Sequence, residues 1–102
     1  MTIDIQERDG ATYVAIAGRV DTVTAPQLDE AVPQICPEGS KGEIIADCAK
    51  MEYISSAGLR AFIVLLKRSK AMGRELTLEN LSPSILSIFD MTGFTKLFNI
   101  KK

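Results

Sequence analysis

The 102-residue chain carries 12 basic and 13 acidic side chains, for a formal net charge of -1, and is 46% hydrophobic. That fits one domain (1–102) with a modest core and gives no overall attraction for nucleic acid or an anionic membrane. Only 6% of it is aromatic, with no Trp, which leaves few platforms for stacking single-stranded nucleic acid.

Thr2 to Arg8 alternates Ile3 and Ile5 with Asp4 and Gln6, the period of a half-buried strand. No stretch of the chain has the unbroken apolar length of a membrane span, and the opening MTIDIQERD lacks the core of a signal peptide, so a cytoplasmic location without membrane insertion is expected. Asp9-Gly10 is a hairpin signal. Tyr13 to Ala17 is the returning strand, antiparallel to the first, and Gly18 ends or bends it. Thr22 and Thr24 are candidate caps for a helix expected from about Ala25 to Val32 or a little beyond. Pro26 suits its first turn, where a missing N–H costs nothing, and Pro33 is expected to distort or end it. Leu28, Ala31, Val32 and Ile35 supply its apolar face.

A turn-rich connector, Pro37 to Gly42, leads into a strand over Gly42 to Cys48. Ala49 to Ile54 reads as a loop with Met51 and Ile54 as buried anchors. The second helix is expected from Ser56 to about Met72: Leu59, Phe62, Ile63 and Leu66 share one side, and Lys67, Arg68 and Lys70 suit its negative pole. Glu75 to Glu79 alternates as a strand. Ser82 and Pro83 open a third helix that uses Ile85, Leu86, Ile88 and Phe89 and ends around Met91 to Gly93. A last short element, Thr95 to Ile100, brings Leu97 and Phe98 near the core.

The order β-β-α-β-α-β-α-β predicts an α/β fold with a parallel core, right-handed crossovers and an antiparallel edge from the opening hairpin. A doubly wound nucleotide-binding fold fails on its glycines, because neither GxGxxG nor GxxxxGK[ST] occurs, and no cofactor is expected. Histidine is absent, which removes the usual general base and the usual serine and cysteine catalytic arrangements. No Ser-x-x-Lys occurs at the candidate site either: Ser55 is followed three residues later by Gly58 and Ser56 by Leu59. Cys36 and Cys48 are too few for a metal site of their own; Cys48 reads as a small core residue. No catalytic activity is expected.

The chain is organised around Glu43 to Leu66, a strand, a loop and a helix start bearing Ser55 and Ser56. A serine at that position can accept a hydrogen bond from an otherwise orphan backbone N–H. On spacing alone, one serine is a cap and the other a polar loop residue. The same helix terminus also tolerates a phosphate, because its free N–H groups and dipole favour negative charge.

Three passages resemble the STAS family, and within it the single-domain bacterial anti-sigma factor antagonists: GRVDTVTAPQLDE (Gly18 to Glu30), IIADCAKMEYISSAGLRAFIVLL (Ile44 to Leu66) and GRELTLENLSPSILSIFDMTGFTKLF (Gly73 to Phe98). The resemblance implies a SpoIIAA-like fold, a mixed sheet of four to five strands with an antiparallel N-terminal edge hairpin and helices mainly on one face. It also implies a regulatory serine at the start of the second helix, usually in Asp-Ser-[Ser/Ala]-Gly-Leu. Matched here, the phosphoacceptor falls on Ser56, with Ala57, Gly58 and Leu59 after it; Ser55 stands where the common form has Asp and is the second choice. The implied partner-binding set is Asp21, Thr22, Asp47, Ser55, Ser56, Ala57, Gly58 and Arg60. Asp21 and Thr22 either meet the partner or cap the first helix. Asp47 either orders the Ser56 loop or is a turn residue. Arg60 either neutralises a phosphate or pairs with a partner, or is a solvated helix residue. Gly58 allows close approach in the first turn.

The function implied is a phosphorylation-switched antagonist that binds an anti-sigma factor serine kinase, which would carry the ATP, and so releases a sigma factor; a serine phosphatase would reset it. No nucleic-acid contact is implied, and the protein would be a monomer or weak homodimer. The alternative is a STAS binding module of a phospholipid-transport, membrane-transporter or stress-signalling complex.

Overall fold

A computed structural model describes residues 1–101. Strand β1 (Thr2–Arg8) turns at Asp9-Gly10, both at positive φ (51° and 78°), into the ten-residue strand β2 (Ala11–Val20), pairing antiparallel from Thr2↔Ala17 to Arg8↔Ala11. Helix α1 (Ala25–Ile35) follows, then β3 (Ile44–Asp47), β4 (Met51–Ile54), α2 (Ser56–Ala71), β5 (Leu76–Glu79), α3 (Pro83–Met91), a 3-10 turn (Phe94–Lys96) and β6 (Asn99–Lys101).

Among the described residues the sheet has six strands in the order β1-β2-β3-β5-β6, with β4 added on β2; every pairing except β1 with β2 is parallel. This is the mixed α/β architecture expected, with its N-terminal hairpin at one edge and one strand more than the four to five predicted. The additional strand is β4, read from sequence as loop. Its pattern Met51 buried, Glu52 and Tyr53 exposed, Ile54 buried lacks the strict alternation of a strand. It forms because β2 continues past Gly18 to Val20 and offers a second stretch of edge. Thr12 to Ala15 pair with β3, whereas Gly18 to Val20 pair with β4 across a shift in register. Gly18, at φ 90°, bends the strand without ending it.

Helix α1 runs on through Pro33 to Ile35. Proline inside a helix costs about 3 kcal/mol, but stopping at Val32 would withdraw Ile35 and Cys36, both fully buried, from the core. Burying a large aliphatic side chain contributes about 1.5–3 kcal/mol. The far end of the helix is also held from outside, since Arg68 Nε of α2 donates to Cys36 O at 2.9 Å. Arg68 is thus more than a charge at the pole of its own helix.

The helices cover one face of the sheet. Val14, Ile16, Ile44, Ala46, Leu76 and Leu78 point into them and are buried, together with Leu28 and Ile35 of α1 and Leu59, Phe62, Leu65 and Leu66 of α2. Leu65 is fully buried, while Ile63, expected on the inner face, is half-buried. Phe62, Phe89 and Phe98 meet edge-to-face with centroids 5.7 to 6.4 Å apart and lock α3 and the approach to β6 onto α2. Leu97, expected near the core beside Phe98, points outward and is 50% exposed. Cys48 is fully buried, and that burial pushes its thiol up to about 12, as suits an inert core residue. No helix among the described residues is long and apolar enough to cross a membrane.

Candidate functional site at the start of the second helix

β4 delivers the chain to α2 beside the end of β2: Ser55 N donates to Val20 O at 2.9 Å. Ser55 is extended (φ -98°, ψ 176°), and its hydroxyl accepts from Gly58 N at 3.3 Å, the geometry of an N-cap. Ser56 is the first residue of the helix proper and is exposed. Its hydroxyl has no hydrogen-bond partner among the described residues, so the fold uses one serine and leaves the other to solvent.

Gly58 sets how closely α2 lies on the sheet. A Cβ there would stand 2.5 Å from Val20 O, 2.8 Å from Ile54 Cγ1 and 2.9 Å from Val20 Cγ1. The first turn of the helix therefore rests directly on the ends of β2 and β4, and only a residue without a side chain permits it. No acidic side chain occupies that first turn, so the helix supplies no anion of its own to its positive dipole end.

The segment joining β2 to α1 is a closed hydrogen-bonded turn. Asp21 Oδ1 accepts from Val23 N at 3.0 Å and from Thr24 N at 3.1 Å, and Thr24 Oγ1 donates to Arg19 O at 2.7 Å. Asp21 N donates to Thr24 Oγ1 at 2.9 Å, and Arg19 Nε lies 3.5 Å from Asp21 Oδ2. The Thr24 N–H above all, followed by that of Val23, holds the Asp21 carboxyl below its ordinary value. Asp21 thus orders the turn ahead of the helix: the N-cap position of α1 is Thr24, and no side chain caps the helix there. Thr22 is exposed and joins Ala57 and Arg60 on an open groove of about 330 Å³ between α1 and α2, floored by Ala25, Pro26, Ala61 and Val64. Arg60 is exposed and makes no ion pair among the described residues.

Seven of the eight candidate residues thus converge: Asp21, Thr22, Ser55, Ser56, Ala57, Gly58 and Arg60. Asp47 stands apart. It pairs with Ala15, whereas Ile54 pairs with Val20, which places it roughly 17 Å down the same strand. Its carboxylate accepts from Ala49 N and Asn80 Nδ2, both at 3.0 Å, so it orders two turns and not the serine loop. The convergence also includes residues that sequence reasoning passed over: Val23, 83% exposed at the tip of the Asp21 turn, Val64 in the groove, and Tyr53, whose ring lies 4.3 Å beneath the Arg19 guanidinium. Nothing local in the sequence signals the last, because Arg19 meets Tyr53 through the pairing of β2 with β4.

A family model for the STAS domain matches residues 2–102. The chain belongs to the STAS domain family. STAS domains are non-catalytic binding modules, and this one falls among the anti-sigma factor antagonists. The anti-sigma-B factor antagonist of Bacillus subtilis (strain 168) is 33% identical over 101 residues, covering 98% of this chain and 90% of that protein. An anti-sigma-factor antagonist (STAS) domain protein from Planctomyces limnophilus has the same fold, with a TM-score of 0.85 at 14% identity over 96% of this chain and 87% of that one. The Bacillus cell fate determinant SpoIIAA in its phosphorylated form matches with a TM-score of 0.71 at 16% identity, over 99% and 92% of the two chains.

Proposed function

We propose that this STAS domain is an anti-sigma factor antagonist switched by phosphorylation of Ser56. Unphosphorylated, it binds a serine kinase that sequesters a sigma factor and carries its own ATP, and the sigma factor is set free. Phosphate on Ser56 breaks the complex, and a serine phosphatase restores the binding form. The observation that carries this reading is the division between the two serines: Ser55 Oγ caps α2, while Ser56 Oγ is exposed and unengaged at the helix start.

The physics favours an interface switch over a folding switch. A phosphoryl group adds about 1.5 to 2 negative charges, and the helix terminus tolerates them with a stabilisation of about 0.3–1 kcal/mol. The fold persists. A partner surface laid over Ser56 must then desolvate that charge or oppose it, and it lets go. Phosphorylation of the Bacillus SpoIIAA structure and the names of the similar proteins support this reading.

The test is capture of partners from the native cytoplasm with tagged wild type, Ser56→Ala and Ser56→Asp, with intact-mass analysis of each. The expected result is a serine kinase recovered with wild type and Ser56→Ala and lost with Ser56→Asp, and a phosphate on wild type that is absent from Ser56→Ala. Equal recovery of the same proteins by all three forms, none bearing phosphate, overturns it.

A further inference from the structure

Among the described residues five large hydrophobic side chains are exposed, and three of them, Val23, Tyr53 and Val64, stand on the turn, strand and helix that meet at Ser56. Val23 is the most exposed of the three, at 83%. It does not sit on a loose loop. Its own N–H is bonded to Asp21 Oδ1, and Thr24, the next residue, is tied to Asp21 and to the Arg19 carbonyl, while Thr22 before it is exposed. Asp21 and Thr24 thus spend their polar side chains within the turn, which presents the Val23 isopropyl group outward beside the exposed Thr22. A β-branched side chain has little rotamer freedom to lose on binding, and a preformed turn loses little more.

We infer that Val23 is the apolar anchor of the docking surface and seats in an apolar pocket of the kinase. This rests on the switch at Ser56 proposed above. The placement follows from footprint. A stable interface covers about 800 Å² per partner, a disc of roughly 16 Å radius. Val20 O is bonded to Ser55 N, and Val23 lies three residues further on, at most about 11 Å of chain. A kinase footprint of that size, laid on Ser56 and extended over the end of β2, covers Val23. Anchor and switch are separate parts of one surface: Val23 contributes attraction, and Ser56 decides whether that attraction can be used.

The experiment measures binding of the kinase recovered by the capture above, purified with its nucleotide, to unphosphorylated wild type, Val23→Thr, Val23→Ala and Ser56→Asp. Val23→Thr keeps the shape and removes the apolar character, and thermal melting of each variant confirms its fold. The expected result is an affinity about tenfold weaker for both Val23 variants. In phosphorylation assays their KM rises by about the same factor with kcat within about twofold, because an anchor remote from the chemistry binds ground and transition states alike. Val23 variants that bind within about twofold of wild type while Ser56→Asp is lost overturn the anchor and leave the switch standing. If Ser56→Asp binds as wild type does, the switch fails, and the anchor fails with it.

Discussion

The two ends of β2 are finished in opposite ways. At the Thr12 end the fold is sealed by Arg74, which is 4% exposed. Its Nε donates to Gly42 O at 2.7 Å, Nη1 to Ser40 Oγ at 2.9 Å and Ile35 O at 3.4 Å, and Nη2 to Thr12 Oγ1 at 2.6 Å. Thr12 Oγ1 in turn donates to Glu7 Oε1 at 2.7 Å, so the buried cation is one hydroxyl removed from a carboxylate. One guanidinium thereby gathers β2, the end of α1 and the connector into β3. At the Val20 end the polar groups are satisfied locally, by the Asp21 turn and the Ser55 cap, and the surface beyond them carries an unengaged hydroxyl and apolar side chains. The Arg74 end is tied by side-chain bonds that span 31 to 62 residues of sequence, whereas the side-chain bonds of the Val20 end, in the Asp21 turn and the Ser55 cap, span two to five.

The largest effect should come from the sealed end. Arg74→Met leaves several inward-facing oxygens without a donor, each at about 1–3 kcal/mol, and a total loss of about 3 kcal/mol or more is expected in urea denaturation. Arg74→Lys should recover only part of it, because a single ammonium cannot reproduce the planar fork that reaches Gly42, Ser40 and Thr12 together. An Arg74→Met protein as stable as wild type would break the contrast between the ends.

At the open end Gly58→Ala should cost about 1–3 kcal/mol, the range for forcing extra volume into a packed contact. It should also lift the first turn of α2 from Val20, which amide chemical shifts of Ser55 to Leu59 would register. The two serines sharpen the comparison further. Ser55→Ala should lose about 1 kcal/mol with its cap, whereas Ser56→Ala should melt within about 0.5 kcal/mol of wild type. Equal losses would mean that the fold uses both hydroxyls.

The smallest effect concerns the Asp21 turn. Its carboxyl has a folded pKa below the unfolded 3.8, so what it contributes is fully present above 3.8 and disappears as pH falls through the lowered value. In an acid titration followed by NMR, the Val23 and Thr24 amides should lose protection only below pH 3.8, and Asp21→Ala should abolish that transition.

Much of this was legible in the residues. Alternation in Thr2 to Arg8, the Asp9-Gly10 turn, the apolar run from Ile44 and the face through Leu59, Phe62 and Leu66 are local patterns that burial on one side imposes. The serine pair could be placed at a helix start for the same reason. By itself the sequence determined the α/β class, the opening hairpin, the three helices and the neighbourhood of the site.

Tertiary structure decided what no local pattern carries. Met51 to Ile54 became a strand because a distant segment, Gly18 to Val20, supplies its hydrogen bonds. Pro33 was tolerated because Ile35 and Cys36 had a core to reach. Arg74 is an ordinary cation in the sequence, and only the meeting of three elements buries it. The division of labour between Ser55 and Ser56 follows from one extended residue followed by one helical residue, and Asp47 was separated from them by a register along β2 that links residues distant in sequence. Such outcomes depend on which segments meet, and adjacency along the chain does not encode them.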